Sequence, residues 1–199
     1  MSRPLYLIAV VLLVLALAGG CTEQKAQTNE TLKIGVVASM TGAASTTGKD
    51  IWQSAVVAAD EINARGGVYI KDIDARVPIV LIQGDDESTR EGGQKAVSRM
   101  ITQDGVDVLV GGFSSAVVSA HQAIVSEYAV PYIITGASTP TMTQRTDINT
   151  STMFHYCPTT DDYGEQTTLF AYEVIRKAIN ERFGYPESRP LRMALIVQD

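Results

Sequence analysis

The residues best suited to chemistry in this 199-residue sequence are glycines and hydroxyl side chains that follow apolar runs. They form three segments: TGAASTTG from Thr41, GGFSSA from Gly111 and TGASTP from Thr135. Glycine lets backbone approach a ligand closely, and Ser and Thr supply neutral donors that can hold a small carboxylate. Each segment alone could be a good turn former, but three of them at one sheet edge favour a binding site.

Two enzymatic or nucleotide-binding interpretations fit poorly. A phosphate-binding P-loop has four residues between its first glycine and the Gly-Lys pair, whereas five separate Gly42 from Gly48, and Asp50 stands where Ser or Thr is needed. GGFSSA resembles a G-x-S-x-G nucleophile elbow, but Ala116 replaces the final glycine. His121 follows on the same predicted helix, where we expect it at the surface. The sequence therefore predicts a binding protein and no enzyme.

Composition limits the partners. A net charge of −6 with scattered Lys and Arg argues against nucleic acid as a partner, and 45% hydrophobic residues are enough for a substantial core.

The run Asp85-Asp86-Glu87 is typical of a solvated loop, with a cation site as the alternative. We expect Cys157 to be a small buried hydrophobe or a free thiol, and we expect no metal and no cofactor.

The N-terminus predicts export. Arg3 precedes an apolar run from Leu5 to Ala18, which as a helix rises about 21 Å, short of the roughly 30 Å hydrocarbon core of a bilayer. It is therefore typical of a signal peptide over residues 1–20 rather than a membrane span. Ala18, Gly19 and Gly20 before Cys21 resemble a lipoprotein signal, in which Cys21 is lipidated; ordinary cleavage is the alternative. The polar residues 21–31 would then form a flexible tether.

Strand and helix patterns alternate after the tether. Continuous apolar runs of strand length start at Leu32, Pro78, Val106, Val130 and Arg192. Apolar residues at spacings of three and four predict helices over 51–62, 96–101 and 117–128. Gly66, Gly67 and Gly105 lie where helix ends need positive φ. This alternation predicts an α/β fold, a doubly wound parallel sheet covered on both faces, with ligands at the carboxyl ends of the strands.

A family resemblance rests on the order of several segments. The run IGVVASMTG, then AVVAADEINARGGV, LIQGDDES and GVDVLVGGFSSAVVSAHQAIVSEYAVPYIITGASTP resemble the amino-terminal half of the branched-chain amino-acid-binding proteins of ABC transporters. The resemblance implies a type I periplasmic-binding fold, in which two α/β lobes close on a ligand. It implies an extracytoplasmic solute-binding protein that delivers its ligand to permease subunits. With the lipoprotein-like signal, we expect a lipid anchor at the outer face of the cytoplasmic membrane.

The resemblance also implies site residues. It puts Ser115 at the hydroxyl that holds the α-carboxylate of the ligand, with Ser114 beside it, and the carbonyl of Gly136 at the α-ammonium. Thr47 stands where relatives often have an aromatic residue, which leaves the preferred side chain open. The remaining positions that it implies for the ligand site are Phe113, Ala137 and Ser138.

The passage FHYCPTTDDYGEQ from Phe154 resembles the family's crossing between lobes. Asp162 there could lie near the cleft or serve as N-cap of a helix from about Tyr163 to Phe183. The expected domains are a first lobe over 32–157 and the start of a second over 158–199. We therefore expect the sequence to be a fragment that binds its amino acid weakly or not at all by itself. An extracellular sensor for amides, urea or other small acids is the alternative function.

Overall fold

The computed structural model describes residues 30–194. The predicted signal peptide, Cys21 and almost all of the tether lie outside these residues, as does most of the strand expected from Arg192. No helix within residues 30–194 combines the length and apolar character needed to cross a bilayer.

A five-stranded parallel sheet forms the centre of the molecule. Its strands, in the order β4-β1-β5-β6-β7, are β1 (Leu32–Ala38), β4 (Ile79–Asp85), β5 (Val108–Gly111), β6 (Tyr132–Ile134) and β7 (Met153–His155). A separate hairpin joins β2 (Val68–Ile70) to β3 (Ala75–Val77). The chain runs from β1 outward to β4 and then returns to β5 on the other side of β1, so the strand order switches between β1 and β5. The predicted doubly wound α/β fold is confirmed.

Residues 30–194 contain five α-helices: α1 (Ser45–Ala64), α2 (Arg90–Arg99), α3 (Ser115–Tyr128), α4 (Thr160–Phe170) and α5 (Arg176–Phe183). A π-helical segment continues α2 over Met100–Asp104, and another joins α4 to α5 over Ala171–Ile175. Short 3-10 turns cover Lys71–Ile73 and Pro140–Thr143. The positive φ predicted for Gly66, Gly67 and Gly105 is present in each case. The hairpin and β7 are elements that the apolar pattern did not predict.

The main core lies on one face of the sheet. Leu109 and Tyr132 are fully buried there with Val97 of α2 and Val118 of α3. On the opposite face α1 packs against β1 and β4, but no described helix covers the far edge, where Ile133 is 36% and Phe154 is 56% exposed. The expectation that both faces are covered is therefore wrong for β6 and β7 among the described residues.

The helix predicted from Tyr163 begins three residues earlier, because its cap is Thr159 and not Asp162. The Thr159 hydroxyl accepts the N–H of Asp162 at 3.3 Å, and the Asp162 carboxylate accepts the N–H of Thr159 at 2.8 Å. This reciprocal pair is a capping box. Asp162 therefore lies in the first turn of α4 and is not its N-cap, and its carboxylate is already engaged.

Two glycines allow close approaches that position the ligand-facing loops. A Cβ at Gly48, in the first turn of α1, would stand 2.0 Å from the carbonyl oxygen of Ser39, so α1 can start against the end of β1 only because this residue has no side chain. Gly112 combines a φ of +81° with a hypothetical Cβ only 2.3 Å from the Tyr132 hydroxyl. The turn after β5 therefore requires glycine.

Candidate functional site

The three glycine- and hydroxyl-rich segments meet at one edge of the sheet. The N–H groups of Thr135 and Gly136 donate to the carbonyls of Gly111 and Gly112, both at 3.0 Å. The N–H of Gly112 donates to Val37 of β1 at 2.8 Å. These bonds join the end of β1 to the segments after β5 and β6, beside the switch in strand order. That is where open α/β sheets bind ligands. Thr47 of the first segment lines the same cavity as Phe113 and Gly136.

A cavity of about 600 Å³ opens between α1 and this edge. Its sheet-side wall is formed by Val110, Phe113, Thr135 and Gly136. The facing wall is one side of α1, where residues three and four apart share a face: Thr47, Asp50, Ile51, Ser54 and Ala55. Cys157 and Tyr163 complete the lining from the segment after β7.

The predicted residues take different places around the cavity. Thr47, Phe113 and Gly136 line it. Ser114 and Ser115 are not among the lining residues. The Ser115 hydroxyl accepts the N–H of Thr139 at 3.4 Å and so connects α3 to the residue after Ser138. The backbone carbonyl of Ser138 accepts the N–H of Thr160 at 2.8 Å.

Two predicted residues lie away from the cavity surface. The Ala137 side chain is fully buried in the main core, and its carbonyl accepts a hydrogen bond from Nε2 of His155. Ala137 therefore supports the segment after β6 from behind. Asp162 is exposed in its capping box, and its neighbour Tyr163 is the residue of α4 that reaches the cavity.

Donors at this edge come from the start of α3. Ser114 is the N-cap residue, yet its hydroxyl makes no capping hydrogen bond. The first N–H groups of a helix have no acceptor within the helix, and they carry the positive end of its dipole. The Ser115 hydroxyl, which accepts from Thr139, still has its own proton to donate. This group of donors suits a carboxylate.

Acceptors lie on the other side of the same opening. The carbonyl of Gly136 receives no hydrogen bond from any residue within 30–194, in contrast to the carbonyls of Ala137 and Ser138. The Thr135 hydroxyl oxygen is buried and also has no partner in that range. A small ligand with a positive group in the cavity could satisfy the Gly136 carbonyl. Donors at the start of α3 and an acceptor at Gly136 are the two kinds of group that a zwitterion requires.

The first of the three segments is braced by the turn after β4. The Asp85 carboxylate accepts from the N–H groups of Met40 and Glu87 at 2.9 and 2.8 Å and from the Thr41 hydroxyl at 2.8 Å. Partial burial by itself raises the pKa of Asp85, but these hydrogen bonds outweigh it and hold the pKa below its ordinary value. The Ser88 hydroxyl accepts from Ala44 and donates to Thr41, both at 3.0 Å.

The acidic run at 85–87 is therefore not the solvated loop that its composition predicts. Asp86 is fully buried, and its carboxylate accepts from the Ser39 hydroxyl and from the N–H of Ser88. Its other oxygen has no partner within residues 30–194.

His121 is fully buried, so its predicted place on the helix surface is wrong. Nε2 lies 3.2 Å from the Tyr132 hydroxyl, which donates to the carbonyl of Gly111 at 3.4 Å. Burial lowers the pKa of His121 to about 4, so the ring is neutral at pH 7. His121 reached the core because α2 carries Gly93 opposite it, where a Cβ would stand 3.0 Å from Nδ1.

Cys157 is a free, half-buried thiol whose sulfur lies 3.4 Å from Nε2 of His155. Burial raises its pKa above the ordinary value, with a smaller opposing effect from a backbone hydrogen bond. Of the two expectations for this residue, the free thiol is the better description.

Sequence reasoning missed most of the α1 wall. Helical spacing places Asp50, Ile51 and Ser54 on the face of Thr47, but the sequence does not show that this face of α1 turns toward the sheet edge. No local sequence pattern indicates Cys157 or Tyr163, because only the path of the chain after β7 brings them to the cavity.

Comparison with known proteins agrees with this geometry. Residues 31–179 match the family model described as periplasmic binding protein. The chain belongs to the periplasmic binding protein family. An amino acid binding protein of Pseudomonas aeruginosa is 30% identical over 131 residues, 66% of this chain and 33% of that protein. A Leu/Ile/Val-binding protein homolog of Brucella abortus is 31% identical over 133 residues, 67% of this chain and 33% of that protein.

A solved structure extends the likeness to three dimensions. The branched-chain amino acid transporter substrate-binding protein LivJ from Streptococcus pneumoniae, in complex with isoleucine, superposes with a TM-score of 0.63 at 25% identity, over 73% of this chain and 39% of that chain. This periplasmic binding protein chain thus spans about a third of the length of the curated relatives it matches.

Proposed function

We propose that this chain supplies the first lobe of an extracytoplasmic solute-binding protein of an ABC importer. The protein holds a branched-chain or related amino acid at the cavity and delivers it to the permease subunits. The names of the relatives and of the isoleucine complex support the ligand class. One observation carries the proposal: Gly136, whose carbonyl has no partner within residues 30–194, lines the same cavity as Phe113, which directly precedes Ser114, the α3 cap residue that makes no cap bond.

The donors of α3 and the carbonyl of Gly136 give the α-carboxylate and the α-ammonium of an amino acid separate hydrogen-bond partners. The α-carboxylate accepts from the Ser114 and Ser115 hydroxyls and from the first N–H groups of α3, where the helix dipole favours an anion. The α-ammonium donates to the carbonyl of Gly136. The ligand therefore makes charge-assisted hydrogen bonds at both ends, although no fixed counter-ion is needed for the carboxylate.

Calorimetric titration tests this assignment. The complete mature protein, produced from its full reading frame, is titrated with leucine, with the amine that lacks the carboxylate and with the acid that lacks the ammonium. We expect leucine or a related amino acid to bind and both analogues to lose at least a hundredfold in affinity, since each leaves buried polar groups unpaired. Equal binding of the amine and the amino acid would contradict the carboxylate assignment.

Two single variants distinguish the contributions of the Ser114 and Ser115 hydroxyls to ligand binding. Ser114→Ala removes an unpartnered hydroxyl, so we expect weaker amino-acid binding, roughly tenfold, with little change in melting temperature. Ser115→Ala also removes the acceptor of the Thr139 N–H, so we expect it to lower both affinity and melting temperature. If Ser114→Ala left the affinity unchanged, Ser115 would be the only hydroxyl on the carboxylate.

Lipid attachment at Cys21 is a separate part of the proposal. It rests on the sequence, in which Ala18, Gly19 and Gly20 precede Cys21 after the apolar run. Mass spectrometry of the mature protein from the membrane fraction should find an N-terminal diacylglyceryl cysteine, and Cys21→Ser should move the protein to the soluble fraction. An unmodified Cys21 in membrane-associated protein would contradict this part only.

A further inference from the structure

We propose that Asp50 selects an amino acid whose side chain ends in a positive charge. This inference rests on the proposed function, and it narrows the ligand from a branched-chain or related amino acid to a basic one. The argument begins with the charge of the cavity wall.

Asp50 is the single charged residue among those that line the cavity in the described part of the chain. Its carboxylate is in no ion pair within residues 30–194, in contrast to Glu61 on the same helix, which lies 3.4 Å from Arg65. The carboxylate also accepts no hydrogen bond in that range; the nearby Ser54 hydroxyl donates to the Asp50 carbonyl instead, at 2.8 Å. Asp50 is exposed, so a ligand that enters the cavity can reach its carboxylate.

The neighbours of Asp50 on α1 are polar along one line. Thr47 lies three residues before it and Ser54 four residues after it, so three oxygen-bearing side chains form a stripe over two turns of the helix. An aliphatic ligand side chain that closed over this stripe would displace water from it without replacing the hydrogen bonds of that water. A terminal ammonium or guanidinium would pair with Asp50 and donate to the hydroxyls.

Asp50 stands on the wall opposite the groups assigned to the ammonium of the ligand. Gly136 and Thr135 belong to the sheet side of the cavity, whereas Asp50 belongs to α1. The carboxylate end of the ligand is held at the start of α3, and the Asp50 carboxylate would repel it from the α1 side of the cavity. The remaining part of the ligand that can approach α1 is the side chain.

Lysine and norleucine provide a matched pair of probes, because both carry the α-ammonium and α-carboxylate and differ in the charged end of the side chain. Titration of the complete mature protein should give at least tenfold tighter binding of lysine than of norleucine. Asp50→Asn should remove that preference and leave norleucine within about threefold of its original affinity. Asp60→Asn, which removes the same charge from an exposed residue of α1 outside the cavity lining, should preserve the preference.

Three results would overturn the inference. Norleucine or leucine could bind as tightly as lysine, which leaves the proposed function intact and removes the role of Asp50. Asp50→Asn could weaken both probes equally, which would place Asp50 at the α-ammonium. If no amino acid bound at all, the proposed function itself would fail.

Discussion

The polarity of the cavity is set by single residues whose polar groups lack a hydrogen-bond partner among the described residues. Ser114 has the position of a helix cap without making the cap bond, and Gly136 offers a carbonyl that no described residue uses. Neighbouring groups such as the Ala137 and Ser138 carbonyls are satisfied within the protein. Buried or half-buried polar groups normally find partners, so these exceptions point to a ligand.

The buried His121 predicts a pH-dependent stability. Its pKa is about 4 in the folded protein and 6.5 in the unfolded chain, so the unfolded chain takes up a proton first as the pH falls. The contribution of the neutral, buried His121 ring to the free energy of unfolding is complete above pH 6.5. It is lost progressively between pH 6.5 and about pH 4, and the total loss is roughly 3 kcal/mol. Urea unfolding between pH 7.5 and 4 measures this loss.

His121→Gln provides the control, since a glutamine can accept or donate near Tyr132 but does not titrate. The variant should unfold at lower urea concentration at pH 7.5 and show a flatter decline of stability between pH 6.5 and 4. An identical pH profile in both proteins would mean that other groups, such as the hydrogen-bonded Asp85, cause the acid destabilisation.

At the scale of elements, the start of α1 depends on the missing side chain of Gly48. A Gly48→Ala change places a methyl group 2.0 Å from the Ser39 carbonyl oxygen, and backbone on both sides must shift. We expect a loss of about 2–4 kcal/mol in stability and weaker ligand binding, because α1 forms one wall of the cavity. Chemical unfolding and calorimetric titration of the same variant measure the two effects.

Gly164→Ala is the matched control, because Gly164 lies within α4 and a Cβ there meets nothing within 4 Å. Alanine is the better helix former, so we expect this variant to be as stable as the original protein or more stable by about 0.5–1 kcal/mol. Equal destabilisation by the two changes would mean that the contact at Ser39 is not what requires glycine.

The elements that the sequence predicted well are those with long apolar patterns. Strands β1, β4, β5 and β6 and helices α1 to α3 follow from periodicity alone. Strands β2, β3 and β7 are each three residues long. Strand β6 has the same length but belongs to the longer apolar run VPYIIT from Val130, which made it recognisable. His121 was misplaced because its burial depends on Gly93 of another helix, a contact that no local pattern contains.

On the scale of the whole molecule, the described residues are unevenly packed. Residues 32–155 build the sheet and its core, whereas Ala171 and Asn180 are the two buried residues between 160 and 194. Large side chains there are exposed, including Phe170 at 56% and Phe183 at 62%. This contrast supports the proposed division into a first lobe over 32–157 and the start of a second over 158–199.

The convergence of the three loops could be predicted from the sequence, because parallel strands bring their carboxyl ends to one edge. The residues of the α1 wall and the contribution of Tyr163 could not, since they depend on how α1 and α4 lie against the sheet. Thr47, Phe113 and Gly136 were identified at the cavity; Asp50 and Ser54 needed the structure.

A crystal structure of the complete mature protein with its bound amino acid tests the central claim most directly. The account predicts the ligand carboxylate about 2.7–3.2 Å from a Ser114 or Ser115 hydroxyl and the first N–H groups of α3, with the ammonium at a similar distance from the Gly136 carbonyl. A ligand bound at another surface, or bound in the cavity with its two ends reversed, would contradict it.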